Sequence, residues 1–398
     1  MISLELPEAL EKGRDNMHNL AKDLFRAIAR KYDIKEHVYP EELDIMRGPR
    51  QQKKADDATN KKADEKKPDK PKGPSYNNLA SVLNMEELAW GDLGLMMTIP
   101  GAGLGNAAIA AVGTPEQKEK FGPKWAAMAI TEPEAGSDSK AVQTTAVLDG
   151  DDWVLNGEKI FVSCADRCDV VVVWANIDLS AGKAGIKSFL VEKGTPGLKL
   201  EKLEHKLGIR ASDTGTFVLK DCRVPKENLL GSAEIKKDKG FAGVMQTFDN
   251  TRPTVAAMTQ GVARAALEFT REQIEAQGVT IDYDRNPNNL SAVEKDFYHM
   301  EATLEAMRLL IWQAASMADA GIRNSLQASM CKAKAGKAGT EITQKCCDLL
   351  GPLGFTQKNL AEKWMRDVKI TDIFEGTGQI QHLIVARQIL KLTSKELK

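Results

Sequence analysis

The 398-residue chain has no apolar run long enough to cross a bilayer, so no membrane association is expected. It has almost no net charge. The formal value of −1 lacks the strongly basic balance of a nucleic-acid-binding protein, and no nucleic acid is expected as a partner. Histidine is scarce, with five in the chain, too scattered in sequence for a metal cluster, and no metal is expected. The six cysteines stand at positions 164, 168, 222, 331, 346 and 347, in no zinc-ligand spacing. They read as reduced thiols, which makes the expected location cytoplasmic. The opening residues, MISLELPEALEKGRD, hold no cationic stretch followed by an apolar core, so no signal peptide is expected.

What is present divides by texture. At about 100–200 residues per domain, two or three domains are expected. Residues 4–31 read as an amphipathic helix, with Leu10, Met17, Leu20, Leu24 and Ile28 mostly three to four apart. Residues 47–74 are lysine-rich and nearly free of large apolar side chains. Such a segment cannot bury enough surface to order itself and reads as an exposed flexible loop. Its interleaved acidic residues weigh against the alternative, a contact to nucleic acid or to an acidic partner. Residues 79–112 return to helix with Leu79, Val82, Leu83, Met85, Leu88 and Ala89, then PGAGLGNAAIAAVG. No strand precedes that GxG and no acidic residue follows at the right distance, so it is not a dinucleotide fingerprint. Close helix packing is expected of it.

From about 127 to 230 the chain is short strands (TTAVL, DWVL, EKIFVS, DVVVVWA, KSFLVE, TGTFVLK), with Asn156-Gly157 as a hairpin signal. An antiparallel barrel or sandwich is expected. Four helices follow, at 240–277, 291–320, 324–350 and 378–395, with lengths suited to an antiparallel bundle. The fold class is therefore α+β: a helical N-terminal domain over 1–126, a central antiparallel β domain over 127–235, and a helical bundle over 236–398.

One short stretch concentrates the chemistry. TDIFEGTGQIQH (371–382) holds one carboxylate, Glu375, between apolar Ile373 and Phe374 and a Gly-Thr-Gly turn that opens a helix. Thr377 is placed to cap that helix. The helix N-terminus favours the charged carboxylate and apolar surroundings disfavour it. A carboxylate held between these effects suits a base working near neutral pH. The plain alternative is a surface Glu ahead of a helix.

Four stretches resemble signatures of one family. MAITEPEAGSDS (128–139), KLGIRASDTGTFVLKDCRVPKENLLG (206–231), FDNTRP (248–253) and IFEGTGQIQ (373–381) look like those of acyl-CoA dehydrogenases, with the medium-chain enzymes nearest by eye. The resemblance covers roughly 75–395. It implies the same helix–strand–helix order, FAD as cofactor, an acyl-CoA thioester as substrate, and electron-transfer flavoprotein as electron acceptor. It implies Glu375 as the base that takes the α-proton while the β-hydrogen leaves as hydride to flavin N5. The thioester oxygen would meet the Glu375 N–H and a flavin ribityl hydroxyl. Met128, Ile130, Thr131 and Gly136 would lie along the flavin ring, with Ser137 reaching both cofactor and the CoA pantetheine. Phe161, Val162 and Ser163 would flank the ring, and Thr377 and Gln379 would reach FAD. Asp249 and Arg252 would contact CoA, and Gly376 would lie near the substrate. Branched-chain and some long-chain members carry the base at the position of Thr251, so a Thr there fits Glu375 as sole base.

The pattern breaks where the family binds the FAD pyrophosphate of a neighbouring subunit. AQGVTIDYDRNPNNLS (276–291) stands in place of an Arg-Lys-x-Phe-Gly stretch, and Asp348-Leu349-Leu350-Gly351-Pro352 in place of Gln-x-Leu-Gly-Gly. An Asp facing pyrophosphate would be repulsive. The expected assembly is therefore a homo- or heterotetramer, the latter with a related subunit that supplies the phosphate contacts. The alternatives are a non-catalytic partner subunit of such a complex or a nucleic-acid-binding relative.

Overall fold

The computed structural model describes residues 5–46, 75–101, 103–235, 242–393 and 396, without the side chains of 242–250. The lysine-rich segment 47–74 lies outside the described residues. α1 (Glu8–Leu20) passes through a π-helical turn (Ala21–Arg26) into α2 (Ala27–Ile34) with right-handed helical backbone at both joints. Ala21 and Phe25 of that turn are fully buried. They lie against α3 (Asn77–Gly91), where a Cβ on Gly91 would come within 2.8 Å of Ala21. Short α4 (Leu93–Met96), α5 (Leu104–Val112) and α6 (Pro115–Phe121) follow. The small residues of α5 serve a strand, not a helix as expected. A Cβ on Gly105 would meet the Ala126 and Ala127 carbonyls at 2.5 Å, so glycine lets α5 lie on the first strand.

The strands are β1 (Ala126–Ala129), β2 (Thr145–Asp149), β3 (Asp152–Ser163), β4 (Val170–Asn176), β5 (Ile186–Glu192), β6 (Leu198–Leu203), β7 (Thr214–Pro225) and β8 (Leu229–Leu230). They form one sheet in the order β6-β7-β3-β2-β4-β5-β8, with β1 paired to β4. The sheet is mixed rather than antiparallel throughout, because β1 and β2 run parallel to β4. β1 enters directly from the helical unit and not from a hairpin, so its direction is not tied to its neighbour's. The apolar run of β4 is buried on both faces. Val171, Val173 and Ala175 join one core, and Val170, Val172 and Trp174 join another that includes Ile109 of α5 and Phe121 of α6.

Asn156-Gly157 is not a turn. It lies within β3 at a register shift against β7, where the Asp221 N–H donates to Asn156 Oδ1 at 2.8 Å. Gly157 has φ +154°, and a Cβ there would meet Thr144 Oγ1 at 2.4 Å, so the glycine marks a bulge and a close approach. The turn sits earlier, at Gly150-Asp151, with Gly150 at φ +66° between paired Asp149 and Asp152.

The long C-terminal helices are α7 (Ala242–Glu275), α8 (Ala292–Asp319), α9 (Ser325–Leu350) and α11 (Gly378–Leu390). A fifth, α10 (Ala361–Val368), escaped the sequence reading. Its eight residues, AEKWMRDV, carry a two-turn apolar stripe (Ala361, Trp364 and Val368) that is short for a periodicity reading, with charged Lys363 and Asp367 buried beside it. The helices before and after the sheet share one core, with Phe25, Leu83 and Leu95 in the same cluster as Val262, Phe297, Ile342 and Trp364. A buried ionic knot ties the parts together. Lys363 bridges Asp92 (2.5 Å) and Asp367, and Asp367 accepts the Ile209 N–H at 2.6 Å from the loop between β6 and β7. All six cysteines are buried and free. Among the described residues no helix is long and apolar enough to cross a membrane.

Candidate active site

The turn after α10 carries Glu375 in the left-handed region, at φ +55°, followed by Gly376 at φ +90°. Two left-handed residues in succession cost conformational energy, most of it at the non-glycine position. Side chains from other helices hold the turn. Gln381 Nε2 donates to the Glu375 and Gly376 carbonyls at 3.3 and 3.1 Å. Lys332 Nζ, from α9, donates to the Gly376 carbonyl at 2.6 Å. Thr377 Oγ1 accepts the Ile380 N–H at 3.3 Å and caps α11, as its sequence position predicts. Gly336 and Gly378 leave room for Asp372, since a Cβ on either would fall 2.6 Å from its Oδ1. Among the described residues no backbone carbonyl takes the Glu375 N–H.

The Glu375 carboxylate is met by α7 from the other side. The Thr251 hydroxyl donates to Glu375 Oε2 at 2.5 Å. Burial pushes the Glu375 carboxyl above the usual carboxylate range, and the Thr251 hydrogen bond and the Arg252 and Lys332 charges oppose that rise. Burial pushes the Lys332 ammonium down to about 8 against the attraction of Asp372 and Glu375. Arg252 is nearly fully buried, with Nη1 3.4 Å from Ser329 Oγ. Its charge is one of those that act on Glu375. Asp249 lies in α7 where side chains fall outside the described residues.

A second set gathers at one end of the sheet. Half-buried Met128 lies in β1, with half-buried Ile130 and Thr131 just beyond it. The Ile160 N–H donates to the Thr131 carbonyl at 2.9 Å, which brings β3 alongside. Phe161 follows at φ +57°, where the β3–β7 register shifts between Lys159 and Val162. Its ring is 61% exposed while Val162 is buried and Ser163 half-buried, so the bulge turns an aromatic face outward. Gly136, Ser137 and, on α11, Gln379 are exposed. Gly136 has open space around it, its nearest would-be contact being Thr131 at 3.9 Å.

Several organising residues were missed. Glu132, in the loop after β1, accepts from the Thr144 N–H (3.0 Å), the Thr144 hydroxyl (2.6 Å), the Gln143 N–H (2.7 Å) and Lys159 Nζ (2.7 Å). Lys159 is fully buried in β3, also donates to the Ile130 carbonyl at 3.1 Å, and is pushed down to about 8 by burial. A lysine inside an apolar strand was the available signal. Lys332 gave none, because KAKAGK reads as a solvated helix face. The histidines are less scattered than expected. His37 and His205 lie with ring centroids 5.1 Å apart beside Glu36, whose oxygens accept from the Lys206 N–H and pair with His205 Nδ1, both at 2.8 Å.

Domain models of the N-terminal, middle and C-terminal parts of acyl-CoA dehydrogenases match residues 7–129, 127–222 and 238–390. The chain belongs to the acyl-CoA dehydrogenase family. It is 36% identical over 404 residues to the mitochondrial short-chain specific acyl-CoA dehydrogenase of Bos taurus, covering 98% of this chain and 92% of the relative. It is 34% identical over 327 residues to the CarC subunit of the caffeyl-CoA reductase–Etf complex of Acetobacterium woodii, covering 80% and 84%. Butyryl-CoA dehydrogenase from Megasphaera elsdenii superposes with a TM-score of 0.80 at 29% identity, covering 98% of this chain and 100% of that one. The sequence motifs pointed toward medium-chain members, whereas these acyl-CoA dehydrogenase relatives are named for short acyl groups. The motifs identify the family, and acyl length depends on pocket depth, which the motifs do not encode.

Proposed function

We propose that this chain is an FAD-dependent dehydrogenase that introduces an α,β double bond into an acyl-CoA thioester, with Glu375 as the base. The observation that carries this reading is the half-buried Glu375 carboxylate, held on a left-handed turn and contacted by Thr251 at 2.5 Å. Burial raises its proton affinity, which suits a group that must accept a proton. Glu375 takes the α-proton, and its own N–H donates to the thioester oxygen as negative charge builds there. Arg252 and Lys332 stay cationic nearby and offset the charge of the ionised base before transfer. A bound FAD would supply the hydride acceptor for the β-hydrogen, at N5.

The donor set fits a flavin. Thr131 and the backbone from Met128 onward offer polar groups, and the outward face of Phe161, beside Val162 and Ser163, offers an apolar plane for the ring. Ser137 and Gly376 are assigned to substrate. A short acyl group and electron-transfer flavoprotein as acceptor are the finer assignments, supported by the names of the relatives. A screen of acyl-CoAs of rising length with a ferrocenium acceptor tests the reading. Turnover is expected with short chains and is expected to be lost in Glu375→Gln. Equal turnover by that variant overturns it.

One observation favours a heteromeric assembly. The 276–291 loop, where the family's phosphate-binding stretch is missing, is tied to its own bundle. Arg271 meets Glu301 and the Tyr283 hydroxyl, Arg285 pairs with Glu294 at 3.1 Å, and Tyr283 stacks on Tyr298. The arginines near this loop are thus engaged by carboxylates within the chain. A related subunit would supply the phosphate contacts for this chain's FAD.

A further inference from the structure

We propose that Lys332 is a positioning residue for the base: from within α9 it holds the Gly376 carbonyl and thereby fixes the left-handed turn that presents Glu375. The inference rests on reading Glu375 as the base. Lys332 is 0% exposed, and its ammonium lies 2.6 Å from the Gly376 oxygen. Burying an ammonium is costly, and an apolar side chain of similar length would fill the same space without that penalty. What an apolar side chain would not do is hold a carbonyl. The peptide planes that need holding are the two that follow Glu375, because Glu375 and Gly376 are both left-handed and only the glycine adopts that region freely. Gln381 reaches the same two carbonyls from α11, so the turn is clamped from two helices. Of the two clamps, Lys332 alone brings charge.

That charge gives the role its signature. The groups that act on Glu375 are Thr251 and Arg252 from α7 and Lys332 from α9. Those that act on Lys332 are Asp372 and Glu375 from the turn and Arg252 from α7. Removing the Lys332 cation leaves Glu375 with less to offset burial, so its proton affinity rises. The base works ionised, so activity falls as pH drops through the Glu375 pKa. The acid limb of the kcat/KM profile therefore moves to higher pH in Lys332→Met. Loss of the clamp also lets the carboxylate wander, and a misplacement near 1 Å costs up to about 100-fold in rate.

The test uses the flavin-loaded enzyme with a short-chain acyl-CoA. Lys332→Met is expected to lower kcat about 10- to 100-fold, to leave KM far less affected, and to raise the acid limb. If that variant does not fold with flavin, Lys332→Gln, polar and nearly as long, reads the same limb. A folded, flavin-loaded variant with wild-type kcat and an unmoved limb overturns the proposal. So does failure of both variants to fold, which makes Lys332 a stability residue. Glu375→Gln run in parallel separates the two readings. If it retains turnover, the base assignment itself falls. If it is inactive while Lys332→Met matches wild type, only the positioning role falls.

Discussion

The turn at Glu375 and the loop over 276–291 use the same local device to opposite ends. Each leads into a helix capped by a hydroxyl residue, Thr377 for α11 and Ser291 for α8. At the first, Arg252, Lys332 and the Thr251 hydroxyl act on one half-buried carboxylate that burial makes more basic. At the second, Glu301 and Glu294 act on Arg271 and Arg285. The first arrangement leaves a base whose charge state is set by its neighbours. The second pairs two arginines with carboxylates of the same chain. Charge is kept available where chemistry is proposed and is paired within the chain where the sequence departs from the expected phosphate-binding stretch.

The comparison breaks most visibly at Glu375 itself. Glu375→Gln keeps the size of the side chain and removes its basicity, and kcat is expected to fall by about 10²–10⁴-fold. Steady-state turnover of the flavin-loaded variant checks this. The other half of the comparison is checked by flavin content. The chain purified alone is expected to hold less than one FAD per protomer by absorbance, and full occupancy in a homotetramer would remove the case for a partner subunit. Thr251→Val sharpens the first half. The Thr251 hydroxyl stabilises the ionised carboxylate, so its loss raises the Glu375 pKa. A hydrogen bond to a charged group contributes about 1.5–3 kcal/mol, so the acid limb of kcat/KM should move up by about one pH unit or more. The smallest effect is expected at the loop. Tyr283→Phe removes the hydroxyl bonded to Glu301 at 2.6 Å. It should cost about 0.5–1.5 kcal/mol of stability, read as a small drop in melting temperature, with kcat unchanged.

How much of this was legible follows from sequence distance. Glu375, its apolar lead-in and the Thr377 cap are neighbours in the chain, and the order of helices, strands and helices shows in the texture of the residues. Lys332 and Thr251 reach the same turn from α9 and α7, 44 and 124 positions away in sequence; nothing marks Lys332 for it, and Thr251 stands out only through the family resemblance. The Asn156-Gly157 reading failed because a bulge and a hairpin turn both call on residues that tolerate unusual backbone angles, and the sheet register decides between them. The missed α10 is eight residues long, and its three-residue apolar stripe is interrupted by Lys363 and Asp367 of the ionic knot, so periodicity had little to count. The parallel pairing of β1 depends on how the sheet sits on the helices, which no strand encodes.

The proposed role of Glu375 is to take the proton beside the thioester carbonyl, and solvent exchange reads that step without the redox half of the reaction. Under anaerobic conditions in D₂O, the flavin-loaded wild type is expected to wash deuterium into the α-position of a bound short-chain acyl-CoA, followed by mass spectrometry. Glu375→Gln is expected to slow this exchange by about 100-fold or more. Exchange at an unchanged rate in that variant would mean that another group takes the proton.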